Sequence, residues 1–373
     1  MNVLQETRAI EAGMGRLIRS MKGATIAIIP IVMILFSLFG AIFGFAEETI
    51  PFMPIFVSLM VASGFDSITG VAVVLCGAGA GVSAAFMNPF TVQVAQGIAE
   101  LPLMSGVGFR FIMYICMVTL TIAVVMRYAI KVKKNPQLSS MYEFDKTRTD
   151  VVNLSELPDF GTKEKLIIVV FLSSIILLIF GVVKNGWYID EIAALFLGMS
   201  MIVAVIAKMG FNNYAICLGK GMAEIAAGAL VVGFARGVLV VMNDGNILHT
   251  LLHSAAGFLE NLPSTISAIG MYFFQCILNF IVPSGSGQAA VSMPIMAPLS
   301  DLVGVTRQTS VLAYQLGDGI SNIFTPTSGY FMAALSLAKV PWQKWAKWIL
   351  PLICLQYILG AIFIVIAQSI GLQ

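Results

Sequence analysis

The hydrophobic and polar positions of the chain alternate on the scale of whole membrane spans. Uncharged apolar runs of about 20 residues, the length that crosses the ~30 Å hydrocarbon core of a bilayer, recur along the entire sequence. They lie near 23–46, 67–99, 109–130, 165–184, 189–208, 221–243, 261–300, 308–338 and 346–370. This pattern predicts an all-α, multi-pass membrane protein that contacts the lipid bilayer.

Three of these runs do not divide into ordinary single spans. They are the run between Lys22 and Glu47, the 33 residues that follow Asp66, and the 40 residues of 261–300. The last run is long enough for two helices and carries a polar, glycine-rich tip at its centre, Pro283-Ser-Gly-Ser-Gly-Gln288. We therefore expect a re-entrant helical hairpin there, which enters and leaves on the same side of the membrane.

Composition and charge exclude several other classes of protein. The chain is 58% hydrophobic and 11% charged, against about 25% charged residues in soluble domains, so a soluble fold would lack a polar surface. A net charge of +2 without a basic cluster beside aromatic residues excludes a nucleic-acid partner. The five Cys stand in apolar runs without a CxxC pattern, and the two His have no carboxylates placed beside them. We therefore expect neither disulfides nor a metal site.

The distribution of Lys and Arg predicts the orientation in the membrane. The longest polar segment, 131–164, opens with three lysines in four residues, and we place it in the cytoplasm. Counting spans outward from it puts most basic residues on the cytoplasmic side. The opposite side keeps Arg110, Lys184 and Arg307. The excess of Lys and Arg on the cytoplasmic side holds at every loop, which supports the span count.

The chain matches itself at an offset of 240 residues. Nine of the 27 positions in 53–79 are identical to their counterparts in 293–319 without a gap, beginning with Met-Pro-Ile in both copies. The first copy starts from the cytoplasmic side and the second from the other side, so the copies are predicted to be inverted in the membrane. Inverted repeats with interrupted hydrophobic segments are typical of secondary transporters, whose site lies at the bilayer midplane between the copies.

The repeat divides the chain into three parts. The first inverted repeat, 1–130, has a hairpin at 22–64, a broken helix at 67–102 and a span at 109–130. The cytoplasmic linker is 131–164. The second inverted repeat, 165–373, has scaffold spans at 165–208, a broken helix at 221–260, a hairpin at 261–304, a broken helix at 308–338 and a last span at 346–370.

Glycine-rich stretches are the predicted points of interruption in two of the broken helices. They are Gly77-Ala-Gly-Ala-Gly81 in the first copy and Gly317-Asp-Gly-Ile-Ser-Asn322 in the second. Backbone groups freed there cannot be satisfied by lipid, so each break must line a cavity or be buried in protein. Half-helix ends that face a cavity offer N–H groups to anions and C=O groups to cations.

Ionisable residues at membrane depth are costly and are candidates for function. They are Glu47 and Glu48 at the first hairpin tip, Asp318 in the second-copy break and Arg236 in the broken helix 221–260. A tip that reaches interfacial water would also explain the two glutamates, and pairing with an acid would explain Arg236. Neutral candidates for substrate or ion binding, some of which only cap loose backbone groups, are Asn88, Ser284, Ser286, Gln288, Asn322, Thr325 and Thr327.

The balance of these charges bears on the substrate. Three acids stand against one base, and buried ionised carboxylates require compensating cations. A cationic substrate, a coupling proton or a coupling Na⁺ would each provide one. The balance favours an amino-acid or basic substrate, whereas a dicarboxylate would need helix N-termini, Arg236 and co-transported cations to outweigh the acids.

Four segments carry a family resemblance. FGAIFGFAEETIPFMPI, SAAFMNPFTVQVAQGIA, VPSGSGQAAVSMPIMAPLSDLVGV and QLGDGISNIFTPTSGYFMAAL resemble the YfcC-like branch of the anaerobic C4-dicarboxylate carrier family, in the ion transporter superfamily. The resemblance implies two re-entrant hairpins, two broken helices, an elevator-type transport domain and a homodimer built through a scaffold domain in the bacterial cytoplasmic (inner) membrane. It implies ion-coupled transport or exchange of a C4-dicarboxylate or of an amino acid of the arginine and ornithine type.

Other interpretations compete with a transporter. Family members have scaffold helices upstream of the first hairpin, so by resemblance the chain looks N-terminally truncated, and a scaffold-deficient or non-functional fragment is one alternative. A channel would need a symmetric ring motif or a continuous polar stripe. A membrane enzyme would need a catalytic set such as Ser/His/Asp or HExxH. The sequence displays none of these motifs.

Overall fold

All the regular elements in the described part of the computed structural model are helices. The described residues are 2–9, 12–13, 25–148, 160–185, 187, 189–223 and 262–373, with scattered positions in 240–257. Most of the predicted broken helix 221–260, including Arg236, lies outside the described residues. Twelve of the helices are labelled α1 to α12 in chain order. Within the described part of the chain, three helices have the length and apolarity to cross a membrane: α5 (Val107–Lys134), α8 (Ser264–Ile281) and α12 (Trp342–Ser369).

The first hairpin consists of α1 (Ile28–Phe43) and α2 (Met53–Ala62). Gly44 ends α1 with a φ of 69°, a left-handed conformation that glycine adopts without steric cost. A 3₁₀ turn, Glu47–Phe52, then leads into α2. The helix Ser67–Ser83 packs against both α1 and α2, whereas Ile31, Ile34 and Leu35 of α1 remain exposed.

The second hairpin consists of α8 and α9 (Gly285–Leu302). Asn279 donates to Gln288 at 3.0 Å and Gln275 donates to Ser292 at 3.0 Å, so the two helices run antiparallel from a turn at Val282–Ser284. At the open end, the Ser264 Cβ lies 3.8 Å from where a Cβ of Gly304 would stand. The hairpin therefore starts and finishes at the same level, as expected of a re-entrant element.

A broken helix follows each hairpin. The first consists of α3 (Ser67–Ser83) and α4 (Val92–Ile98), and the second consists of α10 (Arg307–Ser321) and α11 (Gly329–Leu337). The N-caps of the long halves correspond, because Asp66 and Thr306 each accept the N–H of the threonine three residues later, at 2.9 Å and 3.2 Å. This is the usual way to satisfy a free N–H at a helix start.

The interruption predicted for the first broken helix, Gly77–Gly81, was wrong by two residues, whereas the stretch predicted for the second, Gly317–Asn322, contains the end of its helix. Gly77–Gly81 and Gly317–Gly319 lie inside α3 and α10, and the breaks come after Ser83 and Ser321. These glycines permit close helix packing instead. A Cβ on Gly81 would collide with the backbone of Ser37 in α1, and one on Gly319 would collide with the backbone of Ser83.

The two copies meet at the C-terminal ends of α3 and α10. Gly319 packs on Ser83 and Gly79 packs on Ile323, so these helices run antiparallel where they touch. Each short half-helix packs on the hairpin of the other copy, α4 on α9 and α11 on the Glu47–Phe52 turn. The arrangement is that of an inverted repeat. Two helices of the predicted scaffold, α6 (Thr162–Asn185) and α7 (Ile189–Ile206), stand beside this core.

Candidate substrate cavity

The two hairpin tips and the two helix breaks surround one cavity of about 850 Å³. Apolar residues of α6 and α7, among them Phe171 and Phe196, form a further wall. Seven of the eleven residues that the sequence predicts as a site line this cavity: Glu47, Glu48, Asn88, Ser284, Ser286, Asp318 and Asn322. Residues from segments more than two hundred positions apart in the sequence thus line the same cavity.

Asp318 is the most enclosed acid of the cavity. Its side chain is fully buried in the last turn of α10. One carboxylate oxygen, Oδ1, accepts hydrogen bonds from the amides of Asn279 and Asn322, both at 2.9 Å. The other oxygen, Oδ2, has no hydrogen-bond partner among the described residues and lies 3.3 Å from the Cβ position of Gly285 at the second hairpin tip. Asp318 is therefore held in place by one oxygen, while the other is buried without a hydrogen-bond partner among the described residues.

Glu47 and Glu48 supply the other acids of the cavity. They open the 3₁₀ turn that follows α1, and both line the cavity. Glu48 Oε2 accepts the N–H of Ala46 at 3.1 Å, which fixes its orientation, while the Glu47 side chain is exposed to the open volume. Among the described residues that line the cavity, these two and Asp318 are the charged ones, and none is Lys or Arg.

The second hairpin tip presents the N-terminus of a long helix to the cavity. Ser284 is the N-cap of α9, with its hydroxyl oxygen 3.4 Å from the N–H of Gly287. Tyr314 donates to the carbonyl of Gly285 at 2.6 Å and fixes the tip against α10. The free N–H groups and the positive end of the helix macrodipole favour an anionic group here.

Three predicted residues that the structure describes, Gln288, Thr325 and Thr327, are not on the cavity wall. Gln288 is fully buried inside the second hairpin, where it donates to Gln275 at 2.7 Å and accepts from Asn279 at 3.0 Å. Thr325 and Thr327 share a hydrogen bond of 2.9 Å next to the second break. These three satisfy polar groups of the protein itself, as expected where loose backbone must be capped. Arg236 lies outside the described residues.

The structure adds residues that the sequence analysis missed. Asn279 and Gln275 stand one helical turn apart in apolar α8, and this polar pair on one face was a readable signal. Thr91 and Tyr330 line the cavity at the starts of the half-helices α4 and α11, and the Thr91 hydroxyl is buried without a hydrogen-bond partner among the described residues. Nothing in their local sequence distinguishes them from other break residues.

The sequence also matches a family of known description. The family model of the C4-dicarboxylate anaerobic carrier, DcuC, matches residues 1–369. The chain belongs to this family. The family assignment and the helical structure together identify the carrier as a membrane transporter.

Two relatives and one solved structure are similar to the carrier. It is 39% identical over 381 residues to the putative basic amino acid antiporter YfcC of Escherichia coli (strain K12), over 99% of this chain and 75% of that protein. It is 31% identical over 372 residues to an uncharacterized protein of Haemophilus influenzae, over 99% of this chain and 73% of that one. The crystal structure of the Alcanivorax borkumensis YdaH transporter is similar in fold, with a TM-score of 0.53 at 14% identity over 99% of this chain and 85% of that one.

Proposed function

We propose that the carrier exchanges cationic amino acids, of the arginine and ornithine type, across the bacterial cytoplasmic membrane. The charge of the cavity wall carries this proposal. Three carboxylates line the cavity, and none of the described residues that line it is a Lys or Arg. An unpaired buried charge costs several kcal/mol. A substrate with a guanidinium or ammonium group compensates these acids directly.

The geometry also accommodates the rest of an amino acid. The α-carboxylate of the substrate fits the N-terminus of α9 at Ser284, and its cationic groups fit Asp318 and the Glu47–Glu48 tip. The volume of about 850 Å³ falls within the range of roughly 300–1,000 Å³ usual for small-molecule sites. The name of the Escherichia coli relative, a putative basic amino acid antiporter, supports the same class of substrate.

Exchange explains how such a carrier turns over without a separate coupling ion. The acids require a cation both during loading and during return, and a second amino acid provides it. Uptake without a counter-substrate would instead need a coupling proton or Na⁺ at Asp318. Elevator-type movement and a homodimer are the transport mode and assembly that we expect from the family resemblance.

A C4-dicarboxylate is the second candidate, because the family model carries that description and the N-terminus of α9 favours an anion. Such a substrate would have to bind with compensating cations, since three acids line the same cavity. The two candidates therefore make opposite predictions about ion dependence.

Counterflow in proteoliposomes tests the proposal. Purified protein is reconstituted with ornithine, succinate or neither inside, and uptake of labelled arginine and labelled succinate is measured. We expect arginine uptake that depends on internal ornithine and is unaffected by external Na⁺. Succinate exchange without arginine exchange would reject the cationic substrate in favour of the dicarboxylate.

A further inference from the structure

The two short half-helices end in the same way at opposite faces of the protein. The C-cap of α4 is Ala99 and the C-cap of α11 is Ala338. The next residues, Glu100 and Lys339, have φ angles of 57° and 54°, the left-handed conformation that commonly ends a helix. Carbonyl groups at such an end carry partial negative charge and need hydrogen-bond donors.

A different arginine supplies that donor at each of the two ends. Nη1 of Arg307 donates to the carbonyl oxygen of Ala99 at 2.9 Å, and Nη2 of Arg148 donates to the carbonyl oxygen of Ala338. Arg307 is the first residue of α10, so α4 is capped from within the other copy of the repeat. Arg148 belongs to the linker that joins the two copies.

The two capping arginines come from different parts of the chain because the two copies differ at one position of the repeat. At the 240-residue offset, the counterpart of Arg307 is Ser67, the first residue of α3. A serine side chain is too short to reach the end of α11. Asp145 of the linker fills the gap, because its Oδ2 accepts the N–H of Ser67 at 2.9 Å and its Oδ1 lies 3.1 Å from Nε of Arg148. The linker thus places a guanidinium where the repeat itself lacks one.

The linker pair is also the more enclosed of the two. The side chains of Arg148 and Asp145 are 3% and 9% exposed, whereas the Arg307 side chain is 29% exposed and its ion pair to Glu100 at 2.8 Å faces solvent. Solvent therefore screens the linker pair less. These two linker side chains are therefore packed against the protein, although Glu143 and Lys146 beside them are exposed.

The capped half-helix connects this pair to the cavity. Gly329 and Tyr330, at the opposite end of α11, line the cavity, and α11 packs on the Glu47–Phe52 turn. α11 is nine residues long, or about 14 Å at 1.5 Å per residue. A shift of its capped end therefore reaches the cavity wall.

We propose that Asp145 and Arg148 are positioning residues of the transport core: the linker supplies the arginine cap that the first copy lacks and thereby holds Tyr330 against the Glu47–Glu48 tip. This role is independent of which substrate the carrier takes.

The test exploits the symmetry of the repeat. Arg148→Ala should lower the melting temperature in detergent and raise KM for the exchanged substrate about tenfold, as for a lost charge-assisted hydrogen bond, with a smaller change in the maximal rate. Ser67→Arg, added to Arg148→Ala, places an arginine at the counterpart of Arg307 and should restore both values. Lys146→Ala, at an exposed neighbouring position, is the matched control.

The outcomes separate the possibilities. Wild-type KM and melting temperature for Arg148→Ala would overturn the proposal. Ser67 is fully buried, so Ser67→Arg alone is measured as well. A loss that Ser67→Arg fails to restore, although Ser67→Arg alone leaves the melting temperature unchanged, would also overturn the proposal, because the cap would then not be what was lost. If Arg148→Ala does not accumulate, recovery of folded protein by Ser67→Arg supports the proposal, and continued failure overturns it where Ser67→Arg alone folds. The melting temperature needs no substrate, so this result stands apart from the arginine assay.

Discussion

Asn279 donates a hydrogen bond of 2.9 Å to Asp318 and so joins the second hairpin to the end of α10. The same amide donates to Gln288 at 3.0 Å, which ties the cavity acid to the polar network inside the hairpin. The position of the acid therefore depends on the hairpin being closed. The first copy has Ala78 at the place of Asp318, so the cavity is asymmetric although the fold around it repeats.

Asp318→Asn is expected to abolish arginine and ornithine exchange. The substitution keeps the size of the side chain and removes the buried negative charge that compensates the substrate. Counterflow in proteoliposomes measures the effect, and Glu143→Gln, at a side chain that is 84% exposed, serves as control. Unchanged uptake and exchange would show that Asp318 is structural, and the charge argument for the substrate would fall with it.

Asn279→Ala is expected to weaken substrate binding without removing it. The substitution takes away one of the two amides that hold Asp318 Oδ1, and a lost hydrogen bond to a buried charged group costs about 1.5–3 kcal/mol. KM should rise roughly tenfold or more, whereas Asn135→Ala at the exposed end of α5 should leave it unchanged. Equal KM values for the two variants would contradict the assigned role of Asn279.

Gly81→Ala is expected to destabilise the protein by about 1–3 kcal/mol, the usual cost of overpacking a filled interior. Its Cβ would collide with the backbone of Ser37, which cannot move away as a flexible side chain can. The control is Gly97→Ala, because nothing lies within 4 Å of the Cβ position of Gly97. Thermal unfolding in detergent compares the two, and a normal melting temperature for Gly81→Ala would show that α1 and α3 are further apart.

Accessibility labelling tests the re-entrant hairpin. In a variant without the five native cysteines, Cys introduced at Ser264 and at Leu302 should react from the same side of the membrane. Cys at Glu143, in the linker, should react from the other side. The two hairpin ends lie together in the structure, so labelling of positions 264 and 302 from opposite sides would reject both the hairpin and the inverted repeat.

The sequence by itself determined the helical elements of this protein and identified the three acids of its cavity. The lengths of the uncharged runs, the 240-residue repeat and the polar hairpin tips depend on local composition, and the helices follow them closely. Glu47, Glu48 and Asp318 were readable because a carboxylate in an apolar run has few reasons to be there. These signals need no knowledge of which segments touch.

Only the tertiary structure decided what each polar or small residue does. Gln288 and Ser286 stand two positions apart, yet one is enclosed in the hairpin and the other faces the cavity, because successive helix positions point in directions about 100° apart. Gly81 reads as a helix breaker but is a contact surface for α1. The bond from Arg148 to Ala338 joins residues 190 positions apart, and no local pattern contains it. Such roles arise when distant segments pack, and packing is a property of the whole chain.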